Sequence, residues 1–269
     1  MKRPVVPILM ALIITLLAAY YQRVTGPTYP YRGNITVGER TYSYRLPRSF
    51  DRAGDCEVRL KDLDAVIQAT VSFRRLGVSG PWDTLVMKRQ GNDVVAWLPH
   101  QPPAGILEYY ITLDSPPRSV SIAMEDPIRI RFHGEVPRTI LLPHIVFMFA
   151  GMWASTFTGI LAVLRRPGFK KAGWWAVAFL VAGGFLLGPL VQHFAFGRYW
   201  LGVPFGCDLT DNKTLIVIVF WLVALWANRA KDRPRWIIAA AYVLLIVYCI
   251  PHSVKGTQLD YSTMKVKTG

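Results

Sequence analysis

Residues 139–164 read TILLPHIVFMFAGMWASTFTGILAVL, 26 consecutive positions without Asp, Glu, Lys or Arg. As an α-helix this run would be about 39 Å long, more than the roughly 30 Å thickness of a bilayer's hydrocarbon layer. Four more stretches lack all four charged residues: 4–22, 172–197, 214–228 and 236–254, with 19, 26, 15 and 19 residues. The 214–228 stretch is short for a span, so its helix is expected to begin near Leu209 and to hold Asp211, Asn212 and Lys213 in its first turn. The chain has 269 residues and is 52% hydrophobic, with a mean hydropathy of +0.28. That composition is too apolar for an ordinary soluble domain and excludes a disordered chain. Three cysteines in such a length also exclude a disulfide-stapled mini-domain.

Three clusters of basic residues flank these spans, all on one side. Lys2 and Arg3 precede the first; Arg165, Arg166, Lys170 and Lys171 join the second to the third; Arg229, Lys231, Arg233 and Arg235 join the fourth to the fifth. Short cytoplasmic loops are enriched in Lys and Arg, so the N-terminus is expected in the cytoplasm of a bacterial inner membrane. The opposite, periplasmic side then receives residues 28–137, the loop 198–213 and the C-terminal tail 255–269. Trp174, Trp175, Trp226 and Trp236 at the inner ends, with Tyr199 and Trp200 at an outer end, fit aromatic belts. The first span starts like a secretory leader, but Leu17-Ala18-Ala19 is a poor cleavage match, and it is read as an uncleaved anchor.

This placement disposes of the net charge of +14, which on its own would invite a nucleic-acid reading. Residues 28–137 hold 14 Lys and Arg against 13 Asp and Glu, while the three cytoplasmic clusters hold 10 against 1. The excess is a topology signal and a contact with anionic inner-leaflet lipid, and no nucleic-acid partner is expected.

Residues 28–137 have a different texture. Ile67, Ala69, Val71 and Phe73 alternate with Gln68, Thr70, Ser72 and Arg74, the period-2 pattern of a strand with one buried face. Similar runs occupy 40–46, 84–88, 94–98, 107–113, 119–123 and 128–132, separated by Gly, Pro, Asp and Asn turns. Seven or eight short strands in this length have the rhythm of an antiparallel β-sandwich of immunoglobulin or fibronectin type III kind. The expected fold is therefore an α+β membrane protein with five spans. It comprises a transmembrane anchor (1–27), the extracytoplasmic sandwich (28–137), a four-span helical bundle (138–254) and the tail (255–269). Arg74, Arg75, Lys88 and Arg89 suit either an anionic ligand or a charged solvent face that discourages edge pairing. Cys56 and Cys207 lie on one side of the membrane, and their spacing leaves open whether they pair; Cys249 falls inside the last span.

In the bundle, Gly151, Ser155 and Gly159 recur every fourth residue, as do Gly184 and Gly188, so these two faces are expected to pack together. Pro189 should kink the third helix. Three histidines fall at the outer ends of helices: His144 in the second span, His193 in the third and His252 in the fifth, with Asp208, Asp211 and Lys213 near them. Ionisable groups at membrane depth are costly and point to function. Imidazoles on facing helices suit haem b or another metal, and a quinone headgroup needs a proton donor of this kind. Thr210 or Asp211 is expected to cap the fourth span's helix. No catalytic motif appears. The sequence therefore offers two functions: an accessory or scaffold subunit docking to other membrane-complex subunits or a periplasmic protein, and a haem-, metal- or quinone-binding redox protein.

Overall fold

A computed structural model of the chain describes residues 5–251 and 256–268. It divides into two compact units. One is helical, made of Met1–Pro27, Val136–Gly256 and Thr268–Gly269; the other is built of sheets, from Thr28–Glu135 and Thr257–Lys267.

The helical unit holds α1 (Val5–Thr25), α2 (Arg138–Val163), α3 (Phe169–Leu180), a π-helical segment (Val181–Leu187), α4 (Gly188–Phe196), α5 (Leu209–Ala227) and α6 (Pro234–Cys249). Four helices are long and apolar enough to cross a membrane: α1, α2, α5 and the continuous run Phe169–Phe196. The fifth expected span, 236–254, is shorter: α6 has 16 residues and stops at Cys249. Pro251 explains the stop, because its ring disfavours helical backbone in the residue before it, and Ile250 has turned to ψ 121°. Each helix buries a stripe and leaves the rest apolar and exposed. In α1 the buried residues are Pro7, Ala11, Thr15 and Ala18, every third or fourth position, while Val6, Ile13 and Leu17 on the other faces are more than half exposed.

The central helix is α2, which touches α1, α3, α4 and α6. Its small residues make this possible, though not in the pairing expected. A Cβ on Gly151 would come within 2.9 Å of Leu180 in α3, and one on Gly159 within 2.7 Å of Ala241 in α6. Ser155 accepts a hydrogen bond from Trp221 Nε1 of α5 at 3.2 Å. Gly184 faces Thr214 of α5, not the glycines of α2. One stripe of small residues thus seats three different helices, because each turn of α2 presents its gap in a new direction. Trp221 fills the middle of the bundle with no exposed surface.

The sheet unit begins with the hairpin β1 (Tyr31–Val37) and β2 (Arg40–Leu46). The remaining strands are β3 (Ser49–Phe50), β4 (Cys56–Leu60), β5 (Gln68–Arg75), β6 (Asp83–Val86), β7 (Lys88–Gln90), β8 (Asp93–Leu98), β9 (Ile106–Ser115), β10 (Arg118–Ile122) and β11 (Ile128–Phe132). One sheet runs β3-β11-β9-β5-β6, with β10 also on β9; another runs β4-β8-β7. The long ladder is β5 with β9, antiparallel from Gln68 opposite Asp114 to Arg75 opposite Leu107. The pairing of β3 with β11 is parallel, a departure from the wholly antiparallel expectation.

Both sheets contribute to one core. Val58, Leu98, Val71, Tyr109, Ile111, Leu113, Ile130 and Phe132 have no exposed surface, and Ile67, Ala69, Val71 and Phe73 all face inward as their alternation requires. Tyr109 brings a hydroxyl into this core and satisfies it by donating to Pro47 O at 2.8 Å. Cys56 is a buried free thiol of the same core, and Cys207 is an exposed free thiol, so the two do not pair. Burial pushes the Cys56 thiol up to about 12, which keeps it protonated and inert.

The tail is not loose. It forms a hairpin of β12 (Thr257–Asp260) and β13 (Lys265–Thr268) whose Asp260 carboxylate gathers the turn, accepting from Ser262 N at 2.9 Å, Ser262 Oγ at 2.6 Å and the Lys267 ammonium. Leu259 N donates to Ala104 O at 2.8 Å, Arg131 donates to Thr257 O at 2.5 Å, and Tyr261 Oη donates to Ile106 O at 3.2 Å. Gly105 leaves room for this seating: a Cβ there would lie 2.9 Å from Tyr261 Oη.

Candidate functional site

The polar segment at the start of α5 is a clasp for the helical unit's own backbone. Asp208 is the N-cap, accepting from Thr210 N at 2.8 Å and Asp211 N at 3.3 Å, so the cap sits two to three residues ahead of the expected Thr210 or Asp211. That frees Asp211, which is 7% exposed, to accept from Leu201 N at 2.6 Å. Asn212 Oδ1 accepts from Val203 N at 2.8 Å, and these two bonds fold residues 197–208 back onto the helix that follows. Gly202 sits where a Cβ would come within 2.7 Å of Asp211 Cβ.

Lys213 reaches the other way. Its Nζ donates to Ile250 O at 2.6 Å and Pro251 O at 3.1 Å, carbonyls that the end of α6 leaves without helical partners. An ammonium at a helix C-terminus also meets the negative end of the helix dipole. Asp208, Asp211 and Lys213 therefore each hold backbone of their own unit.

His144 is set by the π-helical segment. Its Nδ1 lies 2.9 Å from Gly183 O, and because a carbonyl only accepts, Nδ1 carries the proton and Nε2 presents its lone pair. The same Gly183 O accepts from Gly188 N, an i to i−5 bond that marks the widened turn. Pro189 is the cause: it has no N–H to give Phe185 O, and its ring crowds that carbonyl, so the chain widens the preceding turns where α-helix would clash. The expected kink thus takes the form of seven π-helical residues. Gly183, the acceptor that orients His144, was not a residue singled out by spacing; the signal for it is Pro189, six positions on.

His193, in α4, stacks on Tyr199 with ring centroids 4.1 Å apart and planes 3° from parallel. Its Nδ1 is buried without a hydrogen-bond partner. His252 lies outside the described residues. Among the described residues, no three His, Cys, Asp or Glu side chains are grouped closely enough to hold a metal ion.

A locked Nδ1–H with an open Nε2 is how a histidine is prepared to ligate or to accept a proton. His144 has that preparation; His193 has a packed ring with an unsatisfied nitrogen.

Comparison with known proteins finds no relative: no family model, no curated protein and no solved structure matches the chain.

Proposed function

We propose that the chain is an integral membrane accessory or scaffold subunit of a bacterial inner membrane. In this reading the N-terminus is cytoplasmic, and the sheet unit with the tail hairpin stands on the periplasmic side. It docks there to a larger membrane assembly, such as a respiratory or other electron-transfer complex. The observation that carries the reading is the clasp: Asp208, Asp211 and Lys213, charged side chains buried in the helical unit, and Asn212 beside them all bind backbone of the same unit and thereby brace it. The basic flanks of the helices support the orientation. The strand order supports a sandwich of immunoglobulin or fibronectin type III kind. Sheets β3-β11-β9-β5-β6 and β4-β8-β7 share one core, as the A′-G-F-C-C′ and B-E-D strands of such a domain would.

The test is purification of the tagged chain in a mild detergent, with cross-linking before solubilisation. Stoichiometric membrane partners are expected; a monodisperse monomer without companions counts against the reading. Orientation is read separately by labelling the exposed Cys207 in intact cells with a maleimide that enters the periplasm but does not cross the inner membrane.

A second reading rests on His144, whose Nδ1 is tied to Gly183 O. It makes the chain a haem b-, metal- or quinone-binding protein using His144, His193 and His252. A reduced-minus-oxidised optical spectrum of the native complex separates it from the first: a Soret shift that disappears in His144→Ala would establish the haem branch.

A further inference from the structure

The sheet unit carries a cleft of about 420 Å³, within the size range of small-ligand pockets, at the end of β5. Phe73 and Leu107 form its apolar floor, and Val78, Pro81 and Pro99 its walls. Arg74, Arg75, His100, Gln101 and Asp83 supply its polar lining.

The two arginines are not equivalent. Arg74 is paired: its guanidinium is 3.1 Å from the Glu108 carboxylate and lies 4.4 Å over the Trp82 ring. Arg75 has no carboxylate within ion-pair distance among the described residues; its Nε donates to Gln101 Oε1 at 3.3 Å, and its guanidinium lies 5.2 Å over the Tyr261 ring.

Gln101 is only 3% exposed, and it is fixed by donating Nε2 to Pro99 O and His100 O, each at 2.9 Å. Its oxygen can therefore only accept, and it accepts from Arg75. Tyr261 is held by its bond to Ile106 O and by the close seat at Gly105. A buried amide on one side and a docked ring on another thus hold Arg75 while leaving its terminal nitrogens for a ligand.

We propose that this cleft binds an oxyanion of single charge carried on an apolar body, with Arg75 as the anchor and the C-terminal hairpin as the element that sets it. The planar guanidinium fork matches a carboxylate or phosphodiester with two parallel N–H bonds. Phe73 and Leu107 take the apolar part, and the Asp83 carboxylate in the lining disfavours a doubly charged group. The same chemistry occurs in a free organic acid and in a phospholipid head.

The experiment uses the full chain, in maltoside micelles and in nanodiscs, with phenylglyoxal modification of arginines read by mass spectrometry. Sodium phenylacetate in the micelles is expected to slow modification of Arg75 by about tenfold, as a charge-assisted pair should, with phenylacetamide as the neutral control. Protection by phenylacetate assigns the site to a free acid. Protection only in nanodiscs containing phosphatidylglycerol, and not in phosphatidylcholine alone, assigns it to lipid. Equal Arg75 rates in every arm, or equal protection of the exposed Arg45 and Arg118, would overturn the site. Tyr261→Phe keeps the ring in its seat at Gly105 and should keep protection, and Tyr261→Leu should lose it; if Tyr261→Leu is protected as well as the parent, the hairpin's part in the proposal falls.

Discussion

Lowering the pH from 7.5 to 5 should loosen the sheet unit through one side chain, His133. It directly follows β11, and burial depresses its pKa from the ordinary 6.5 to about 4, with nearby Arg131 adding to the effect and Asp51 opposing it. The sign follows from proton binding. Between these two values the unfolded chain holds the proton and the folded chain does not, so stability is fully present above about 6.5 and declines as pH falls toward 4. The gap is worth about 3 kcal/mol when fully developed and about 2 kcal/mol at pH 5. Glu57, Asp93 and Asp260 are all held below the ordinary carboxylate range, so their titrations lie beneath this window. The assay is hydrogen exchange by mass spectrometry on peptides covering β9 and β11, with rates corrected for intrinsic pH dependence. Roughly thirtyfold faster opening at pH 5 than at pH 7.5 is expected in the parent chain. His133→Asn should remove most of that difference. If the variant keeps the same pH slope as the parent, the reasoning fails.

Three other outcomes test the packing. Gly159→Val should lower helical-unit stability by about 1–3 kcal/mol, since its Cβ would enter at 2.7 Å from Ala241, and a thermal melt in detergent reads the loss. Lys213→Met keeps the stem but strips the end of α6 of its donor; about 1–3 kcal/mol is expected, with faster backbone exchange appearing first around Ile250. Asp260, held low chiefly by Lys267 and then by Ser262, stays charged in the folded turn through the carboxylate range, and its contribution to the turn's stability declines as pH falls below the ordinary 3.8, where the unfolded tail takes up the proton. Limited proteolysis should therefore cut the hairpin faster at pH 3 than at pH 7, and Asp260→Asn should already be cut faster at neutral pH.

The helices were legible because absence of charge over a long run is a signal that needs no partner to interpret. The start of α5 at Leu209 followed from the polar residues a short apolar run must borrow, while its cap was misplaced because any of three neighbouring side chains fits the rule and only Asp208 has the geometry. The strands that alternate cleanly, such as β5 and β11, were equally legible. Others were hidden by their composition. β1 contains Gly33 and Asn34, residues with low strand propensity, yet Gly33 is needed because the Tyr44 ring crosses the strand there. β4 is five residues long with two charges, and β12 and β13 are four residues each with a single apolar side chain apiece, Leu259 and Val266. The candidate site was legible only as a set of residue types. Which backbone group each polar side chain serves depends on contacts across the fold, as between Lys213 and Ile250, that no local pattern encodes.

The tail hairpin also imposes an order on assembly. The sheet unit is drawn from two pieces of chain with residues 136–256 between them. At ordinary rates of synthesis, roughly 6 to 24 s pass between the two pieces leaving the ribosome's active centre. Through that interval the Ala104 carbonyl awaits the Leu259 N–H, and the Ile106 carbonyl, already bonded by Leu76 N, lacks its second donor, Tyr261 Oη; both arrive only after all the helices have been made. Completion of the sheet unit therefore reports that the helical part of the chain has been made, and a chain interrupted within the helices displays an unfinished edge by which it can be told apart.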